Sequence, residues 1–208
     1  MKKTLSGVPR LEKIKIIFQY LLVFISSFFC GCFFTQLISQ SVLFEIEKDL
    51  IYHFEIPFVE CKSFFELFQV FIKLTIKDIV CFAILFFSVF TVFNYIISDL
   101  IIFYVGFDFG FSVCLLLKLF LNSGAYIIHS PNGIEIFIFI ATRLIFIASI
   151  LYFSIKLSLG AFKMKALKPN GRFTISLPAF AYTSFLTVLG ICISVLLKLL
   201  YCFIIYKF

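Results

Sequence analysis

The sequence predicts an all-α fold, a polytopic bundle of about five transmembrane helices with a cytoplasmic N-terminus. Three observations lead there. Of 208 residues, 62% are hydrophobic and only 14% charged, whereas a soluble domain is roughly half apolar and about a quarter charged. Such a chain cannot cover itself with polar surface, so a water-soluble globule and a disordered chain are both excluded. Apolar runs recur at the length of ~20 residues that a ~30 Å hydrocarbon core requires. Basic residues cluster beside those runs, at the N-terminus and around 156–172. The chain forms one membrane domain, 1–208, with no room for a large soluble one.

The first span is 16–38, an uncharged stretch behind Lys2, Lys3, Arg10, Lys13 and Lys15. It exceeds the 7–15 residues of a signal-peptide core, and further spans follow it. Residues 40–78 form an extracytoplasmic loop that holds seven of the eleven acids. Within it, Lys62, Glu66, Gln69, Lys73 and Lys77 recur every three or four residues among Phe and Leu. That pattern suits an amphipathic helix, either lying on the membrane surface or packed on the other spans.

The second and third spans are 79–98 and 100–121, with a tight turn at Ser98-Asp99 or a break nearer Gly106. Asn122, Ser123, Gly124, Pro131, Asn132 and Gly133 mark the next connection. The fourth span is 134–154. A basic connector with the turn Lys168-Pro169-Asn170-Gly171 leads to the fifth span, 176–197, where Pro178 fits a first helical turn. With the N-terminus inside, five crossings place both basic clusters in the cytoplasm, as the positive-inside rule requires. A nucleic-acid binder would instead carry its cations as a folded surface patch, so no nucleic-acid partner is expected. The lipid bilayer is the expected environment, and a second copy of the chain is an open possibility.

Charges within the spans separate by depth. Lys118 and Lys198 fall near outer ends and can snorkel. Glu135 opens the fourth span, where a carboxylate suits a helix N-terminus. Asp108 lies about 12 Å in from the cytoplasmic end of span three, and Arg143 about 13–14 Å in from the outer end of span four. Their matching depths predict an Asp108–Arg143 pair facing the protein interior, because an unpaired mid-membrane Arg costs about 2.5 kcal/mol or more. Gly106-Phe-Asp-Phe-Gly110 is a G-x-x-x-G that admits another backbone closely, without naming which one.

Seven cysteines, six of them in or beside apolar runs, make no disulfide framework. Cys30-Gly-Cys32 could suggest a metal or redox pair but reads more simply as small apolar filling. No H-E-x-x-H and no Gly-rich phosphate loop with Lys occurs. His53 and His129 are far apart, Ser123 lacks a hydrolase context, and Asp108 has no second intramembrane Asp beside it. The expectation is a protein that is not an enzyme and holds no cofactor or metal.

Tyr104-Val-Gly106-Phe-Asp-Phe-Gly110-Phe-Ser112-Val, with the apolar run to Asn122-Ser-Gly124, resembles the central block of the stage II sporulation protein M family. Ser130-Pro131-Asn132-Gly133-Ile-Glu135-Ile resembles the start of that family's next helix, and Tyr152-Phe153-Ser154-Ile-Lys156-Leu157 its end. The resemblance covers about residues 79–200. It implies a non-enzymatic scaffold that positions peptidoglycan-degrading proteins, the stage II sporulation proteins D and P, at the septal membrane during forespore engulfment. In that picture Gly106, Gly110 and the Asp108–Arg143 pair hold the bundle and 40–78 meets the partner. The alternative is the permease subunit of an ABC-type transporter, with the 155–175 connector as its coupling segment.

Overall fold

A computed structural model describes residues 10–38, 42, 63–91, 93–121, 133–167 and 177–207. Five helices make up nearly all of these: α1 (Arg10–Leu37), α2 (Phe64–Ser88), α3 (Asn94–Leu121), α4 (Gly133–Leu167) and α5 (Leu177–Lys207). No strand occurs among the described residues. Four helices are long and apolar enough to cross a membrane, over Leu11–Leu37, Asn94–Lys118, Phe137–Gly160 and Phe180–Leu200.

Two boundaries differ from the sequence reading. Residues 64–77 are not a separate amphipathic element but the first half of α2, which runs unbroken to Ser88. Ser63 starts it by accepting a bond from the Glu66 amide at 3.3 Å. The second boundary is the turn after α2. It falls at 89–93, not at Ser98-Asp99 or Gly106, and is closed by Phe90 N–Phe87 O and Thr91 N–Ser88 O bonds of 3.1 and 2.9 Å. Ser98 and Asp99 sit inside α3 instead. Ser98 is buried, and Asp99 accepts a 3.2 Å bond from Gln19 of α1. Polar residues that look like a turn in the sequence therefore serve a helix–helix contact.

The ends of α4 and α5 also extend past the predicted spans. The first half of the 155–175 connector is helical to Leu167, and α5 continues from 197 to Lys207. Pro131, His53, His129, Ser123 and most of 40–62 lie outside the described residues.

The helices alternate in direction. Contacts between Ser27 and Gly106, Phe28 and Gly110, and Thr35 and Lys118 rise together, so α1 and α3 are parallel. Thr142 meets Ser194 and Phe153 meets Phe180, so α4 and α5 are antiparallel. Asp78 meets Arg143, and Phe82 meets Phe153 farther along both helices, so α2 runs with α4. α1 packs chiefly on α3 and α4 chiefly on α5, while α2 lies against α3, α5 and, less, α4. The core gathers Leu85, Ile102, Val105, Phe146, Ile150 and Phe153.

In lipid, apolar burial alone does not hold helices together, so close packing and polar contacts must. The α1–α3 seam shows the first. A Cβ at Gly106 would fall on Ser27 Oγ and the Phe24 carbonyl. One at Gly110 would fall on the Phe28 backbone, and one at Gly31 on Phe107 and Phe111. The G-x-x-x-G of α3 thus takes α1 as its partner. Polar contacts reinforce the seam. Lys118 Nζ donates to the Thr35 carbonyl at 2.6 Å, near the C-terminus of α1, where a cation suits the helix dipole. The Tyr20 hydroxyl bonds Ser158 of α4, both buried. Ser194 Oγ donates to the Thr142 carbonyl at 3.1 Å, tying α5 to α4.

Candidate functional site

Five ionisable side chains from four helices meet inside the bundle. The site begins with α2, whose faces are reversed relative to a surface helix. Phe64, Phe65, Phe68, Ile72, Ile76 and Ile79 are exposed, while Asp78 is fully buried and Lys77 is turned partly inward. A stripe of polar residues at helical spacing looks the same in sequence whether it faces water or a polar interior. Here the end of the stripe, Lys77, turns partly inward beside the buried Asp78, which favours the packed alternative for this helix.

The contacts form a chain of alternating sign. Lys77 Nζ of α2 donates to Asp108 Oδ1 of α3 at 2.9 Å. Asp108 Oδ2 faces Arg143 Nη2 of α4 at 3.5 Å. Arg143 Nη1 donates to Asp78 Oδ1 of α2 at 3.1 Å. Lys198 Nζ of α5 donates to Asp78 Oδ2. Each carboxylate thus splits its two oxygens between two cations on different elements. The arrangement is graded in burial, since the Lys77 side chain is 28% exposed and those of Arg143 and Asp78 only 6% and 2%. Aromatic rings line the cations, with Lys77 Nζ 5.4 Å from the Tyr104 ring centre and the Arg143 guanidinium 5.8 Å from that of Phe139.

Asp108 and Arg143, anticipated as a pair from their depths, are thus two links of a longer chain. Lys198 is a correction. It does not snorkel at a helix end but is 4% exposed within the bundle, with its ammonium on Asp78. Asp78, assigned to a loop, shares Arg143 with Asp108 and is the more deeply buried of the two carboxylates, so Asp108 does have a second aspartate beside it. The misplacements have separate sources: Lys198 looks terminal because the predicted fifth span stops at 197, whereas the helix runs on to Lys207, and Asp78 because the turn after its helix is predicted too late. A turn at Ser98 puts Asp78 about 30 Å away, at the far edge of the membrane, whereas a turn near residue 89 puts it only ~16 Å along the helix, close to mid-depth. Of the remaining predicted residues, Gly106 and Gly110 belong to the α1–α3 seam, Gly133 opens α4, and Glu135 stands in that helix's first turn.

Arranged in this way, the cluster can do two things. It can tie α2, α3, α4 and α5 together through charge-assisted hydrogen bonds in a low-dielectric setting. Ionisable residues at membrane depth also mark ion and proton paths. Among the described residues no group of three or more His, Cys, Asp or Glu could hold a metal ion. The chain matches no protein-family model, no curated protein and no solved structure.

Proposed function

We propose that this chain is a five-crossing membrane scaffold that works as a rigid body and not through catalysis. The observation that carries the reading is the shared charge cluster. Moving any of α2, α3, α4 or α5 away from the others separates a buried ion from its partner, and leaving such a partner unpaired costs about 3–5 kcal/mol. α1 is locked separately, through glycines that admit its backbone to van der Waals contact. A bundle held in this way resists rearrangement, which suits holding partners in place more than alternating access. In this reading α2 is the fifth crossing, with its phenylalanines in lipid and its charges inward. The N-terminus is cytoplasmic, which puts both basic clusters on that side. The site of action is the cell membrane, and the acidic 40–62 segment faces an extracytoplasmic partner.

The resemblance to the stage II sporulation protein M family supplies the partner class: peptidoglycan-degrading proteins of the stage II sporulation D and P type, assembled at the sporulation septum. A second reading, the permease subunit of an ABC-type transporter, draws on the graded burial of the cluster, whose Lys77–Asp108 end is the more accessible. Crosslinking and affinity capture of the tagged protein from sporulating cells separates the two. Recovery of extracytoplasmic peptidoglycan hydrolases, lost when 40–62 is replaced, supports the scaffold. Recovery of a cytoplasmic ATPase without hydrolases overturns it in favour of the permease.

A further inference from the structure

The α1–α3 seam brings together two thiols that lie far apart in the sequence. Cys32 of α1 is in side-chain contact with Cys114 of α3. Its sulfur also reaches the Gly110 carbonyl at 3.5 Å, one helical turn before Cys114. The backbones around them nearly touch, since a Cβ at Gly31 would lie only 2.8 Å from the Phe111 amide nitrogen. Two parallel helices in glycine-mediated contact place neighbouring Cα atoms within reach of the 4.4–6.8 Å that a disulfide spans. Cys30, two residues away, is exposed on another side of α1, so the sequence-adjacent pair is not the spatial one. Both Cys32 and Cys114 are free thiols, and neither is fully buried.

We propose that Cys32 and Cys114 are a dithiol modification site that closes to a disulfide and clips α1 to α3. The oxidant is a small or protein-borne disulfide. The thiolate of one cysteine attacks a sulfur of that disulfide and expels one thiolate. The second cysteine then attacks the resulting mixed disulfide and expels the other. The two protons of the cysteines pass to the two leaving thiolates, so one disulfide is consumed, one is formed, and two thiols are released. The pair sits about 7–8 Å along α1 from its C-terminal end, near the Lys118–Thr35 contact, where a membrane-soluble reagent can approach. The inference does not depend on the scaffold reading, because it concerns only the α1–α3 seam.

The test uses the full chain in membranes, with a protease site inserted between residues 43 and 50. The membranes are treated with the aromatic disulfide 4,4′-dithiodipyridine, the remaining thiols are alkylated, the loop is cut, and the fragments are run without reductant. The expected result is that the two fragments stay joined, separate on adding dithiothreitol, and stay joined in Cys30→Ser. They should separate without reductant in Cys32→Ser and in Cys114→Ser. Should those variants fail to accumulate, peptide mapping of the oxidised parent chain by mass spectrometry must show a Cys32–Cys114 linked peptide. Separation of the parent's fragments after oxidation, or joining through any other cysteine pair, overturns the proposal.

Discussion

Asp78→Asn removes one charge and almost no volume, which makes it the sharpest probe of the cluster. Asp78 accepts from Arg143 Nη1 at 3.1 Å through one oxygen and from Lys198 through the other. Asn keeps one acceptor and loses the charge, so two buried cations are left competing for a neutral amide. Arg143 retains Asp108 at 3.5 Å. Removing one partner of a buried pair costs about 3–5 kcal/mol, and the retained Arg143–Asp108 contact places the expected loss near the lower end, about 3 kcal/mol. Reversible unfolding in mixed micelles measures it. The double variant Asp78→Asn/Lys198→Met deletes the buried ammonium along with the carboxylate it contacts, and should recover more than half of the loss. The reasoning fails if Asp78→Asn lies within about 0.5 kcal/mol of the parent, or if the two substitutions simply add.

Gly110→Ala should destabilise the chain by about 1–3 kcal/mol, because its Cβ falls on the Phe28 backbone and α1 must shift. Gly160→Ala in α4 meets nothing within 4 Å, so it should be neutral or stabilise by up to about 1 kcal/mol through helix propensity. Measured together in the same unfolding assay, Gly110→Ala should fall below the parent and Gly160→Ala should not. Tyr20→Phe removes the hydroxyl shared with Ser158 and should cost about 1 kcal/mol, with a smaller effect when Ser158 is already Ala.

Much of the fold is legible in the sequence because apolar runs report lipid directly. The helices containing spans one, four and five and the all-α class follow from run length and hydropathy, and the G-x-x-x-G of α3 announces a close approach. What escapes is the identity of partners across space. Gly106 and Gly110 do not say that Phe24, Ser27 and Phe28 will meet them. The α2–α3 turn is hidden because residues 89–93 carry no Gly or Pro and are mostly apolar, whereas the polar Ser98-Asp99 pair mimics a turn while contacting α1. That displacement of about nine residues moves Asp78 out of the membrane on paper, and ending the fifth span at 197 instead of 207 makes Lys198 look like an end-of-helix cation. The depth of Arg143 changes little because its helix starts at Gly133, whereas Asp108 lies about 21 Å and not 12 Å from the start of its helix at Asn94. Depth counting gives the pair but not its extension to Lys77, Asp78 and Lys198.

The most direct test of the account is the topology of α2, because the inward-facing charges matter as an intramembrane cluster only if that helix crosses the bilayer. Single cysteines would be placed at residue 50 and at residue 91, in a chain whose native cysteines are replaced by Ala or Ser. Labelling intact cells and then inverted vesicles with a membrane-impermeant maleimide reports which side each occupies. A five-crossing bundle predicts that residue 50 reacts only from outside and residue 91 only from the cytoplasmic face. Reaction of both from the same side would contradict it, leaving α2 at the surface and Lys77 and Asp78 without a membrane-spanning helix to carry them.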